Sequence, residues 1–243
     1  MEIKKVALVL VDISGYTRFL QMHAASLLHA EEIITELMEA VIDKADYPLT
    51  LNKLEGDAAL LYAEVEENPQ AAVHDIARQV LGFFAAFKQK QTTLVEAGEG
   101  GCPCEACRNI AQLQLKAVLH YGEVVMKQIR QFEELAGNNV ILIHRLLKNS
   151  LPSREYILMT EDFYRLYGDI TELAAQEHIE AYPELGALKT FVVYPPQTVE
   201  LRVPDVKPMS RPKGIWEGQR LTFAGLWRRL FDRKGPFRHL QAG

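Results

Sequence analysis

Two carboxylates stand where a strand ends and where a hairpin turns. Asp12 closes the run "VALVLVD", which is continuous and β-branched and reads as a buried strand over residues 4–12. Asp57 follows Gly56 in "KLEGDAALLYAE", where two short apolar runs flank a Glu-Gly pair in the pattern of a β-hairpin. If these strands are neighbours in one sheet, both side chains converge at its end. Paired carboxylates suit a hard divalent cation, Mg²⁺ or Mn²⁺, which takes oxygen ligands and shares them with phosphates. The turn "ISGYT" then places Gly15, Tyr16 and Thr17 at a helix N-terminus, whose free amides suit a triphosphate. A competing reading makes Asp12 a turn or helix-capping residue and Asp57 an ordinary hairpin residue.

A second cluster is sulfur. The three cysteines of the chain all fall in "CPCEAC", as Cys102, Cys104 and Cys107. Three thiolates so close together can share one borderline metal, Zn²⁺ above all, with a fourth ligand from elsewhere. His120 is the candidate within the chain, and a residue of a partner chain is the other choice. The alternative is a loop of reduced cysteines or a redox-active pair. His23, His29 and His74 sit in helical patterns and read as surface or packing residues; His144, beside Arg145, either faces the site or packs.

The elements that must position these groups follow from periodicity. Apolar residues recur at three- and four-residue steps from Tyr16 to about Lys44, predicting one long helix. Asn68-Pro69 is a helix start, with Asn as cap and Pro at the first position, and that helix should run to about Ala97. The cysteine loop follows. "LQLKAVLHYGEVVMKQI" reads as a hairpin turning near Gly122, and "NNVILIHRLLKNS" as a helix. A strand, "REYILMT", a short helix, "EDFYRLYGDI", and a final strand pair within "HIEAYPELGALKTFVVYPP" complete the order β-α-β-β-α-β-β-α-β-α-β-β. This is an α+β chain with helices packed on a largely antiparallel sheet. No internal repeat is visible.

Composition narrows the function. The chain has 243 residues, 48% hydrophobic and 24% charged, an ordinary globular mix. A net charge of -5 argues against a general affinity for nucleic acid. No apolar stretch of about 20 residues predicts a membrane span, and the N-terminus lacks a secretory pattern, so the cytoplasm is the expected compartment. Prolines punctuate residues 195–212, which divides a domain at 1–195 from an extended arm at 196–243. The arm's "LTFAGLWRRLFDRKGPFRH" mixes Trp, Phe and Arg in a way that suits contact with anionic lipid. Folding back onto the domain or onto a partner subunit is the preferred reading.

Four motifs occur in the order of the class III nucleotidyl cyclases. "VDISGYTRF" resembles their first metal motif and "KLEGDAALLYAE" their second. "LKAVLHYGEVV" resembles the next strand pair, with its His-x-Gly turn, and "ELAGNNVILIHRLL" the acidic-x-x-Gly-Asn segment with the helix that carries a catalytic arginine. The resemblance spans about residues 4–195 and implies a ferredoxin-like α/β core with extra strands. The "CPCEACRN" insertion suggests an uncharacterised bacterial branch. Carried over by position, Asp12 and Asp57 are the metal aspartates, and Ile13 lends a backbone carbonyl. Lys53 and Glu134 are the base-reading pair, and Arg145 stabilises charge on the phosphates. Lys53 can donate to adenine N1 and Glu134 can accept from the N6 amine, so ATP is favoured over GTP; a plain Lys53–Glu134 salt bridge is the competing reading. The family's sites form across a dimer interface, which implies a homodimer binding a purine nucleotide.

The resemblance has two gaps. The family's catalytic asparagine falls on Ile141, which cannot hydrogen-bond. Its phosphate-binding lysine falls at Pro183 or Glu184, with Lys189 displaced. Two functions therefore stand side by side: a weak adenylate cyclase, and a catalytically degenerate cyclase fold serving as a ligand-sensing or signalling scaffold.

Overall fold

The computed structural model describes residues 1–22, 27–65, 69–99, 105–167 and 174–195. Its centre is β1 (Glu2–Ser14), whose residues Val6 to Val11 are all fully buried. A strand covered on both faces needs an unbroken apolar run rather than an alternating one. Its two faces feed two cores. Ala7, Val9, Val11 and Ile13 point into one, while Val6, Leu8 and Leu10 point into the other.

Around it runs an eight-stranded sheet. β2 (Thr50–Glu55) and β3 (Ala58–Glu64) form the first hairpin. β4 (Gln114–Ile129) and β5 (Phe132–Ala136) form the second, and β6 (Tyr156–Thr160), β7 (Gln176–Tyr182) and β8 (Gly186–Val193) complete the sheet. The order is β2-β3-β1-β4-β6-β8-β7, with β5 branching from β4. All pairings are antiparallel except β4 with β6.

Helices cover the two faces unequally. α1 (Tyr16–Met22), α2 (Leu27–Ile42), α3 (Pro69–Glu99), α4 (Glu105–Asn109) and α6 (Glu161–Tyr167) lie on the first core. The second face carries α5 (Asn138–Leu146), which buries Val140, Ile143 and Leu146. In α3, Val73, Ile76, Val80, Phe83 and Phe87 recur at helical spacing and are fully buried, which gives this 31-residue helix its apolar stripe. The α+β architecture expected from the sequence is the one observed.

Several elements differ from expectation. The stretch read as one helix from Tyr16 to Lys44 contains α1 and α2, with residues 23–26 between them outside the described residues. The cysteine-bearing loop contains α4, with a 3-10 turn at Ile110–Gln112 after it. The hairpin turn near Gly122 does not exist. β4 runs through that glycine for 16 residues and turns instead at Arg130, whose φ is 56°. Gly122 serves close approach rather than a turn: a Cβ there would sit 2.5 Å from Asn139 Nδ2. The Asn139 amide donates to the Glu123 carbonyl at 2.7 Å, fixing the start of α5 against β4. The expected cap Asn68 and the arm at 196–243 lie outside the described residues.

Candidate functional site

The end of β1 holds the two carboxylates together. Asp12 lies opposite Ala58 on β3 and Lys116 on β4. The Ile13 N–H donates to the Asp57 carbonyl at 3.1 Å, so the β2–β3 turn is tied to the residue after Asp12. Gly56 makes that turn with φ 65°, a conformation that glycine adopts without steric cost. Burial pushes the Asp57 carboxyl up to about 6, and the neighbouring charge of Asp12 adds to the rise; Lys116 opposes it. Lys116 Nζ sits 2.9 Å from Asp12 Oδ2 and also donates to the Leu147 carbonyl at 3.4 Å.

Two further groups belong to this end. The Tyr16 hydroxyl donates to Glu31 Oε1 of α2 at 2.9 Å. Burial and that bond push the Tyr16 phenol up to about 12, with the charges of Glu31 and Asp57 contributing. Glu31 in turn raises Asp57, so a third carboxylate faces the pair. Gly15, at φ 96°, accepts from the Phe19 N–H at 2.9 Å as α1 begins, and Thr17 is exposed. Sequence reasoning missed Lys116 and Glu31. The alternation of charged and apolar residues around Lys116 was its only signal.

Lys53 and Glu134 also meet. Their charged atoms are 3.9 Å apart, but Lys53 lies closer to Glu55, at 2.9 Å. The bond to Glu55 raises the Lys53 amine against the lowering effect of burial. The strand register shifts between Leu51 and Lys53, and Asn52 at that irregularity donates to the Glu133 carbonyl of β5 at 3.4 Å. His144 Nδ1 approaches Glu55 at 3.4 Å, which brings α5 to the same group of charges. Glu55 is the member that sequence reasoning left out.

Arg145 is half-exposed on α5 and pairs with Glu184 at 3.2 Å, in the turn between β7 and β8. An acidic side chain therefore neutralises the arginine at the place where the resemblance puts a phosphate-binding lysine. Lys189 is directed elsewhere, pairing with Glu177 at 2.8 Å and lying 5.4 Å from the Phe191 ring centroid. Ile141, 54% exposed, precedes Arg145 by one turn.

The sheet separates Cys107 from His120. Cys102 and Cys104 lie outside the described residues. Cys107 packs against the core of α2 and α3. His120 sits opposite Leu8, whose side chain belongs to the other core, and its Nδ1 is 2.9 Å from Thr160 Oγ1. Burial lowers the His120 pKa. The structure does not bring His120 to Cys107; His29 takes that place, with Nε2 3.2 Å from Cys107 Sγ. Among the described residues no group of three or more His, Cys, Asp or Glu is arranged to hold a metal. A Mg²⁺ or Mn²⁺ site needs only one or two carboxylates beside phosphates. Asp57, raised by burial and then by the charge of Asp12, forms with it an oxygen-donor pair whose chemistry fits such a cation.

Comparison with known proteins agrees with this architecture. A family model described as "Protein of unknown function (DUF2652)" matches residues 34–156. The uncharacterized protein Rv2561/Rv2562 of Mycobacterium tuberculosis is 37% identical over 128 residues, which are 53% of this chain and 57% of that relative's length. The crystal structure of the guanylyl cyclase Cya2 superposes with a TM-score of 0.60 at 14% identity, over 84% of this chain and 98% of that one. The adenylyl cyclase CyaB from P. aeruginosa superposes with a TM-score of 0.59 at 15% identity, over 81% and 97%. At such identities the likeness is one of fold. No helix among the described residues is long and apolar enough to cross a membrane.

Proposed function

Because this chain belongs to the DUF2652 family and has the fold of adenylyl and guanylyl cyclase domains, we propose that it binds a purine nucleotide, preferentially ATP, together with Mg²⁺ or Mn²⁺. The observation that carries this reading is the placement of Asp12 and Asp57 at the end of β1, where the Ile13 N–H bonds the Asp57 carbonyl and Asp57 is raised by burial and then by the charge of Asp12. Asp12, Asp57 and the Ile13 carbonyl would hold the cation. Bound there, it would activate a ribose 3′-hydroxyl and neutralise the triphosphate. Lys116 pairs with Asp12 and offers a cation to the phosphates from β4. Lys53 donates to the base and Glu134 accepts from it. Arg145 meets phosphate only after leaving Glu184.

The pairing of Arg145 with Glu184 and the side chain of Ile141 favour a nucleotide sensor whose cyclase chemistry is faint. Incubation of the pure protein with ATP or GTP and Mn²⁺, followed by assay for cyclic product and by calorimetry of nucleotide binding, tests both halves. Metal-dependent binding with little cyclic AMP is expected. Failure to bind either nucleotide with either metal overturns the reading.

The site is completed by a second copy of the chain. Leu54, Phe132 and Ile141 are exposed large apolar side chains on the elements that carry Lys53, Glu134 and Arg145, and the exposed Ile129 on β4 lies opposite Phe132. Burying such a patch favours association. Light scattering at tens of micromolar should give a dimer, more fully so with ATP and Mn²⁺. A strict monomer under both conditions contradicts it.

Lys53 sets base preference. Lys53→Glu places three carboxylates together with Glu55 and Glu134 and removes the donor to adenine N1. Losing such a hydrogen bond to a charged group is worth about 1.5–3 kcal/mol. The ratio of ATP to GTP affinity should therefore fall by about tenfold or more in competition binding. An unchanged ratio makes Lys53 a structural partner of Glu55.

A further inference from the structure

We propose that Arg18 and Arg154 form a binding site for a phosphate group, beside the turn at Gly15 and apart from the Asp12–Lys116 pair. The two arginines lie far apart in the chain, yet both line one cavity of about 230 Å³, open mouth included, together with Gly15, Phe19, Gln112 and Leu113. Strand register explains the convergence. Ser14 at the end of β1 is level with Gln114 on β4, and Lys116 of β4 is level with Tyr156 on β6. Arg18 sits in the first turn of α1, just after Ser14, and Arg154 just before Tyr156, so both start from the same end of the sheet. A Cβ on Gly15 would lie 3.5 Å from the Gln112 carbonyl oxygen, so the turn and the segment before β4 are already in close contact there. Phe19 and Leu113 belong to the first core, whereas Lys116 reaches the Leu147 carbonyl next to the second. The cavity is therefore approached from a different side of the sheet than the Asp12–Lys116 pair.

Uncompensated charge marks this cavity. Arg78, Arg145 and Arg165 each have a carboxylate in ion-pair contact. Among the described residues Arg18 and Arg154 have none, and no residue lining the cavity is acidic. Glu155, next to Arg154 in sequence, is committed to Lys88 of α3 at 3.1 Å. The Ser153 hydroxyl accepts from the Glu155 N–H at 3.2 Å and donates to the Glu155 carbonyl at 3.0 Å, which fixes the backbone on which Arg154 stands. Two like charges brought to one cavity repel, and an anion between them offsets that cost. A guanidinium presents a planar fork of N–H donors that matches phosphate oxygens two at a time. Cavities for drug-sized ligands begin at about 300 Å³, so this one suits a phosphate group rather than a whole nucleoside. An anion held here would tie α1 to the segment before β6, across the turn that carries Gly15, Tyr16 and Thr17.

The phosphate group arrives as the free ion or at the end of a polyphosphate chain; the second source rests on the nucleotide reading above, the first does not. Calorimetry of the full-length protein with inorganic phosphate, without divalent metal and at an ionic strength held constant with chloride, tests the site by itself. Saturable binding is expected. Arg18→Gln and Arg154→Gln should each weaken it about tenfold or more, through the loss of a charge-assisted hydrogen bond. Arg154→Lys keeps the charge without the fork and should fall between the native chain and Arg154→Gln. Both arginines are exposed, so the melting temperature without phosphate should stay native in all three variants. Asp57→Ala should leave phosphate affinity unchanged. Weaker binding of ATP with Mn²⁺ by both glutamine variants, with AMP unaffected, makes the terminal phosphate of the nucleotide the occupant. Intact phosphate binding in a chain that binds no nucleotide would overturn the nucleotide reading and leave this site standing. Phosphate bound as tightly by the double glutamine variant as by the native chain is a general salt effect and overturns the site, as does a double variant equal to the native chain toward phosphate and ATP alike.

Discussion

The variant carrying both Ile141→Asn and Glu184→Lys produces cyclic AMP from ATP and Mn²⁺ at least about 10²-fold faster than the native chain. Each substitution restores one group that acts on charge developing at the phosphates. A single preorganised donor of this kind is worth roughly 10²–10³ in rate. Glu184→Lys has a second effect, because it removes the carboxylate that sits 3.2 Å from Arg145 and leaves the guanidinium for the nucleotide. Glu184→Gln separates these contributions: it frees Arg145 without adding a cation, so it should raise ATP affinity more than turnover. Ile141 is exposed, so replacing it with a polar residue disturbs no core. A double variant that binds ATP as the native protein does, yet makes no more cyclic product, would leave the scaffold reading in place.

Asp57→Asn raises the melting temperature of the metal-free protein at about pH 7.5 and removes its response to Mn²⁺. The Asp57 carboxyl moves from 3.8 to about 6 on folding, through burial and then the charge of Asp12. A raised acid binds its proton more tightly in the folded state. The associated stability is therefore fully present below about pH 3.8 and is lost as pH rises through about 6. Above that the folded protein contains two opposed carboxylates, which the amide relieves. The shift nominally corresponds to roughly 3 kcal/mol, which partial solvation reduces to about 1 kcal/mol, or about 2–4 °C in a domain of this size. In the native protein Mn²⁺ does what the proton does at lower pH, so its stabilisation should fade below about pH 6. Asp12→Ala and Asp57→Ala should each abolish the Mn²⁺ dependence of ATP affinity in calorimetry. Scanning calorimetry across pH decides the matter: an equal Mn²⁺ shift in native and both aspartate variants assigns the pair a structural role.

What could be read from the chain depended on whether a residue's surroundings were local. Asp12 and Asp57 were legible because a strand end and a Gly-Asp turn are local features, and only their neighbouring strands had to be assumed. The unbroken burial of β1 likewise shows in its composition. Gly122 misled because a glycine between two apolar runs looks the same whether the chain turns or a helix presses against it. The demand for glycine there comes from Asn139, 17 residues away. Lys116 was passed over because a lysine alternating with apolar residues is ordinary in a half-exposed strand. His29 was read as a surface or packing residue for a similar reason: its neighbouring thiol, Cys107, lies on another helix. The pairing of Arg145 with Glu184 required the sheet order, which places the β7–β8 turn beside α5.

The contact at Gly122 also makes α5 a lever. Its fulcrum is Asn139, held to β4 by the Glu123 carbonyl, and Arg145 rides about 9 Å further along the axis. A methyl group at position 122 would meet the Asn139 amide at 2.5 Å and His120 Nε2 at 2.8 Å. Either the amide releases its carbonyl or the whole helix tips. Arg145, His144 and Ile141 then shift together, although none touches the altered residue. The tolerance of the arginine's aim is thus set at a backbone position on the opposite end of the helix, where the smallest possible change in side-chain volume is the one with the longest reach.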